Sequence, residues 1–212
     1  MSCGILTDPD LPRSVTFSGK EWGIRWGFRT GMLLDCMFHD KRKTEQENLA
    51  DMINLFYWNP VEAVACGAQE AVDAMMAFLS GKRGESKAAP EKQEKPQKAQ
   101  KRAYDFDQDA DVIIGDFLHY YGIMLHRMKN DELHWWEFVS MFRGLPEKST
   151  IHTYMYYRTC DLKGLGKDEA KRIRRMRAQI RIRETYEDAE LSSAKRLEKR
   201  NERWLNIASR YK

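Results

Sequence analysis

The stretch that decides the reading runs over residues 104–146. It opens Tyr104-Asp105-Phe106-Asp107 and continues as an apolar-periodic run to Tyr120-Tyr121-Gly122-Ile123. It closes with Leu133-His134-Trp135-Trp136-Glu137-Phe138 and Gly144-Leu145-Pro146. Ala110, Ile113, Ile114, Phe117 and Tyr121 fall on one helical face. Asp107 is placed to cap that helix, and Gly122 to take the left-handed position at its end. Trp135, Phe138, Val139 and Phe142 line a second helix that Gly144 and Pro146 stop. Two short capped helices rich in aromatic rings build a small interaction domain rather than a catalytic centre.

Working outward, Ile151 to Cys160 reads as a third short helix, and a long charged helix begins near Lys167. Its apolar positions, Ile173, Met176 and Ile180, are sparse and fade after Tyr186, so it docks for a few turns and then runs free. Upstream, residues 81–102 contain no aromatic and no aliphatic larger than Ala. Such a run cannot bury enough surface to offset the entropy of ordering, which predicts a disordered basic linker. Its 22 residues would span about 26 Å root-mean-square, enough for the two halves to move separately.

In the first 80 residues, Val15 and Phe17 alternate with polar neighbours. Ser18-Gly19-Lys20 can turn, and Trp22 and Ile24 alternate again, which is a β-hairpin signature. A lone hairpin is marginal, so it must lean on helices or on another chain. Phe28, Met32, Leu33, Cys36 and Met37 follow helical spacing. Thr44 and Glu47 form a capping box ahead of Leu49, Met52, Ile53 and Phe56. Asn59-Pro60 breaks that helix and starts the next. Val61, Val64, Ala65, Ala68, Val72, Met75, Met76 and Leu79 then predict one continuous core stripe ended by Gly81. The expected fold is therefore mainly α: an N-terminal hairpin plus helices (1–80), the linker (81–102), an aromatic-rich helical unit (103–161) and a long basic helix with its extension (162–212).

The sequence resembles the bacteriophage gene-product-fifteen proteins of long-tailed phages. The likeness rests on the Asp-rich, Phe-containing start at 105–109, the Tyr-Gly-Ile turn at 121–123 and the Leu-His-Trp-Trp-x-Phe block ending in Gly-Leu-Pro. Leu11-Pro12, the Val-containing strand, Ser18-Gly19-Lys20 and Ile24…Phe28-Arg29-Thr30 extend it to roughly 11–80 and 104–183. The long Lys/Glu/Pro linker and the extension over 184–212 depart from the pattern. The resemblance implies a tail-assembly-chaperone-like protein acting on the tape-measure protein in the host cytoplasm. Other tail proteins are further partners on this reading, and residence in the virion as a structural subunit is an alternative.

The residues themselves narrow the classes. The net charge of +4 hides a segregation: −4 over 1–80, +5 over 81–102, −5 over 103–161 and +8 over 162–212. Acidic folded parts and basic flanks suit contact between proteins, and also nucleic acid as a second reading. Lys163 to Arg183 holds nine basic residues, among which Arg172 and Arg175 share a face. No run is long and apolar enough for a membrane span, and the N-terminus lacks a signal-peptide pattern, so a soluble protein is expected. Cys3, Cys36, Cys66 and Cys160 lack metal or redox spacing. Asp105, Asp107, Asp109 and Asp116 mimic a calcium loop, but Ala110 stands where that loop needs Gly, so they read as helix-capping acids. His119, His126, His134 and His152 lack ligand spacing, and His134 reads as a packed or capping residue. Nucleophile elbows and phosphate loops are absent from the sequence, so neither cofactor nor metal is implied and a non-enzyme is expected.

Neighbours on a helix point about 100° apart, so one of Trp135 and Trp136 is expected inside and the other exposed or in an interface, unless both are covered by 147–160. The face shared with Phe138 and Phe142 assigns Trp135 to the core and Trp136 to recognition. Met75, Met76, Trp135 and Trp136 are the expected partner contacts, because Met side chains adapt to varied partners. Arg172 and Arg175 are expected to meet acidic stretches. Self-association through the hairpin edge or the Met75-Met76 helix is a further expectation.

Overall fold

The computed structural model describes residues 11–40, 43–81 and 102–183. The chain is mainly helical, with a small N-terminal antiparallel hairpin, as the sequence patterns require. The linker expected over 81–102 and the extension over 184–212 lie almost wholly outside the described residues.

Strands β1 (Ser14–Phe17) and β2 (Lys20–Gly23) pair with Val15 opposite Trp22. Ser18 and Gly19 both take positive φ (50° and 71°), the pattern of a two-residue type I′ turn that suits the strand twist. Phe17 stacks on Trp22 at 5.2 Å and meets Tyr57 edge-on, so the hairpin leans on the helices. Helix α1 spans Phe28–Phe38 and α2 spans Glu45–Phe56. The capping box of α2 forms as expected: Thr44 Oγ1 accepts from the Glu47 amide, and Glu47 accepts from the Thr44 amide.

Helix α3 (Pro60–Leu79) departs from the sequence reading. Gly67 leaves the helical region (φ 176°, ψ 95°) and kinks it. A stripe that is continuous on an ideal helix cannot stay on one face across such a break. Ala71, Met75 and Phe78 beyond the kink are buried, whereas Val61, Val64 and Ala65 before it are exposed and only Ala63 of that half is fully buried; Ala68, just past the kink, is exposed as well. Leu33 on α1, expected in the core, is also exposed, and Leu34 takes its place.

Helix α4 (Ala110–Tyr121) is followed by a short 3₁₀ turn (Leu125–Arg127), α5 (Trp135–Arg143), α6 (Thr150–Thr159) and α7 (Lys167–Gln179). Asp109, not Asp107, is the residue before α4, and Gly122 ends it at φ 69°. Three of the four aspartates of the calcium-like spacing are taken up by the chain itself, and Asp107 is exposed. Asp105 accepts from the Asp107 and Gln108 amides, and Asp116 accepts from the Thr150 and Ile151 amides at the start of α6. Asp109 holds Arg158 in a buried two-pronged ion pair at 2.6 and 2.7 Å. Arg158 also donates to the Ala103 and Ile180 carbonyls, tying α6 to the end of α7.

The expected N- and C-terminal units share one apolar core, with Phe17, Phe28, Phe56, Met75, Phe106, Phe117, Phe138 and Ile151 in the same cluster. They do not stand apart as the reach of the linker alone suggests. The Leu-His-Trp-Trp segment is the joint. Gly27 bridges His134 in antiparallel fashion, Phe28 N–H donates to the Leu133 carbonyl, and Trp135 N–H donates to the Trp26 carbonyl. The Asn130 side chain accepts from the Arg29 and Thr30 amides, satisfying the open end of α1.

Trp136 corrects the sequence assignment. It is 4% exposed against 5% for Trp135, so both rings are core. The first turn of α5 lies between α1 and the end of α3, and each flank receives one ring. Trp135 Nε1 donates to the Leu79 carbonyl and Trp136 Nε1 to the Phe78 carbonyl. Truncating either ring to Ala should cost about 3–5 kcal/mol in urea melts. Gly31→Ala should also destabilise. A Cβ there falls 2.1 Å from the Trp135 ring, and Trp135 is tied at both ends. The helix-propensity gain of about 1 kcal/mol is smaller than the overpacking cost of about 1–3 kcal/mol. A melt in which Gly31→Ala is as stable as the parent would refute this account of the joint.

Candidate functional site

Between α1, α3 and α5 lies an apolar groove of about 340 Å³. Its floor is Leu34, Phe106, Trp135 and Phe142, all buried. Its rim carries Phe38 (59% exposed) and Met76 (37%). Met155 reaches in from α6. Asp35, Arg143 and His152 supply the polar edge. Burial pushes the Asp35 carboxyl upward, offset in part by His39 at 3.8 Å and Arg102 at 3.6 Å. The Cys36 thiol is pushed up to about 11, chiefly by burial, which leaves it unreactive at neutral pH.

The expected contact residues separate in this frame. Met76 stands on the rim and Trp135 forms part of the floor. Met75 and Trp136 are buried in the core. Arg172 and Arg175 are exposed on α7, away from the groove. The structure therefore brings Met76 and Trp135 together and leaves the other four elsewhere.

A second apolar surface escaped the sequence reading. Trp58, between α2 and α3, is 61% exposed, and Val61 is 80% exposed, with Val64 a turn further on. Arg25 lies over the Trp58 ring at 4.5 Å while its Nη1 donates to the Asn54, Leu55 and Tyr57 carbonyls. Trp58 N–H donates to the Gly23 carbonyl. The sequence signal was Gly67 in mid-helix, which divides the stripe.

A polar cavity of about 440 Å³ adjoins the far side of α1, lined by His39, Arg102, Asp105, Gln108, Asp109, Arg158 and Arg183. Most of these side chains bond one another or nearby backbone, including Gln108 with the Arg183 amide and carbonyl. The cavity knits α1, α4, α6 and the end of α7 together. No group of three or more His, Cys, Asp or Glu residues arranged to hold a metal occurs among the described residues. No helix among them is long and apolar enough to cross a membrane.

The scaffold is mainly helical, shows apolar surface at the groove and around Trp58, and holds its buried charges, such as Asp109 with Arg158, against one another. The family described as Bacteriophage Gp15 protein matches residues 6–199, and the chain belongs to that family of phage proteins. The family is not a known enzyme family. No curated protein and no solved structure matches the chain.

His134, read from sequence as a packed or capping residue, does both. Its Nδ1 accepts from the Trp136 amide, and its Nε2–H donates to the Pro12 carbonyl. Its ring stacks on Trp26 at 5.5 Å. That cap needs a neutral ring, and burial lowers its pKa below the ordinary 6.5. The unfolded chain therefore binds the proton first, so stability is full above about 6.5 and declines as pH falls from there toward the lower folded value. Thermal melts should show a fall in Tm between about pH 7 and about pH 5 that is shallower in His134→Asn, where Asn keeps a capping oxygen. Parallel curves for the two proteins would overturn this account.

Proposed function

We propose that this protein is a non-enzymatic tail assembly chaperone of a long-tailed phage, binding the tape-measure protein in the host cytoplasm during tail morphogenesis. The observation that carries the reading is the apolar groove with Phe38 and Met76 on its rim. A tape-measure protein is long and helical with apolar seams, and such helices aggregate when naked. A groove floored by fixed aromatic rings and edged by an adaptable Met accepts varied side chains from a helix laid across it. Family membership supports the phage setting, and the exposed Trp58–Val61–Val64 surface offers a second place for the client.

The test is co-expression with the long helical tail protein encoded beside it, followed by pull-down. Phe38→Glu with Met76→Glu alters exposed rim positions, so the melt should stay within about 1 kcal/mol of the parent. Client recovery should fall at least tenfold, a hot-spot effect of about 1.4 kcal/mol or more. Undiminished recovery with the double variant would remove the groove from the account. Absence of any complex with the parent protein would remove the chaperone reading.

A further inference from the structure

From the outer face of α7 we infer that this protein carries a nucleic-acid site that holds the phosphate backbone without reading sequence. Lys167, Lys171, Arg174 and Arg175 recur at i, i+4, i+7 and i+8, which sets them in one stripe along the helix. All four are exposed, while Ala170 and Ile173 on the other side are buried. Two nearby arginines are used differently. Arg177 on the same helix donates to the Tyr157 and Cys160 carbonyls, and Arg158 is locked to Asp109. The stripe makes no ion pair or hydrogen bond among the described residues. Asp168 and Glu169 sit in the first turn, where the helix dipole favours acids, and neither pairs with the stripe.

From Lys167 to Arg175 the helix rises about 12 Å, the axial span of about four phosphates on one strand. An acidic protein surface is the competing ligand. A stable protein interface needs a desolvated apolar centre, and exposed ion pairs alone contribute about 0–1 kcal/mol each. The stripe contains no apolar side chain, and the position that follows in its register is Ala178. Phosphates need only the cations, because binding is driven by release of condensed counterions. Arg174 and Arg175 add forked donors that match phosphate oxygens.

Fluorescence anisotropy with full-length protein tests this, using fluorescein-labelled mixed-sequence duplex and single-stranded DNA. Binding to either probe is expected at low salt, and the two arms tell which form is held. Four phosphate contacts predict a duplex affinity that falls roughly a hundredfold between about 50 and about 200 mM salt. Combined Lys171→Ala, Arg174→Ala and Arg175→Ala should leave the melting curve unchanged and flatten the log–log salt slope by about 2.7. Three outcomes would overturn the inference: no binding to either DNA at low salt, an unchanged slope in the triple variant, or a polyglutamate probe bound as tightly as DNA at equal salt. Because the groove variant Phe38→Glu with Met76→Glu leaves α7 untouched, it should bind DNA like the parent, which keeps this result separate from the client assay.

Discussion

Two indole N–H groups on adjacent residues hold this fold together. The last carbonyls of a helix have no partner within it, and burying them unsatisfied costs about 1–3 kcal/mol each. Helix α3 ends against the core, and its Phe78 and Leu79 carbonyls receive Trp136 and Trp135. The same residues begin α5, whose N-terminus is closed by His134 and Glu137. One short segment thus satisfies the end of one helix and the start of another. Its backbone also pairs with residues 26–28. The rest of the core, with Phe28 against Phe138 and Phe138 stacked on Phe117, follows from that placement.

The buried polar groups follow a different logic. A buried ion pair gains little net stability, because the loss of hydration offsets the attraction, yet removing one partner is costly. Arg158 satisfies this by adding two carbonyl contacts to its pair with Asp109. Arg29, an exposed residue, also spends its guanidinium on backbone, donating to the Leu125, His126 and Met128 carbonyls. In both cases a guanidinium fixes backbone that lies outside the α-helices or at their ends. Both guanidinium groups are thereby occupied, which sets them apart from the α7 stripe.

What could be read from the sequence was what is decided locally. The Thr44–Glu47 box, the Ser18-Gly19 turn, Pro60 at a helix start and Gly122 at a helix end each depend on a few neighbouring residues, and each is found where the local chemistry puts it. The failures depend on distant partners. Periodicity sorts residues onto faces of an ideal helix, but it cannot say how many faces have neighbours. Trp136 lay on a less apolar face of α5 and was still buried, because Phe78 and His134 arrive there from elsewhere in the chain. The stripe from Val61 to Leu79 assumed a straight helix, and Gly67 broke it. The groove was half legible: Met76 and Trp135 were singled out, whereas Phe38 fell outside the α1 stripe of Phe28, Met32, Leu33, Cys36 and Met37. Trp58 gave no periodic signal, since it sits between helices.

The kink at Gly67 also explains why so much apolar surface remains outside. A straight α3 would carry Val61 and Val64 on the face that Met75 buries, whereas beyond the break the register changes, so that the first half buries Ala63 and leaves Val61 and Val64 outside. Exposed Val and Trp are a solubility liability unless something covers them. Here they are presented rigidly. Arg25 is pinned by three carbonyls and backs the Trp58 ring, and Gly23 packs so closely that an added Cβ would stand 3.0 Å from it. A side chain already fixed gives up little rotamer freedom on contact, so more of its burial energy, about 25 cal/mol per Å², is left for the complex. The same holds for the groove floor, where Trp135 is tied by its indole N–H before any partner arrives. Fixed aromatic surfaces beside a flexible Met rim favour a partner whose general shape is constant, such as a helix, while its side chains vary.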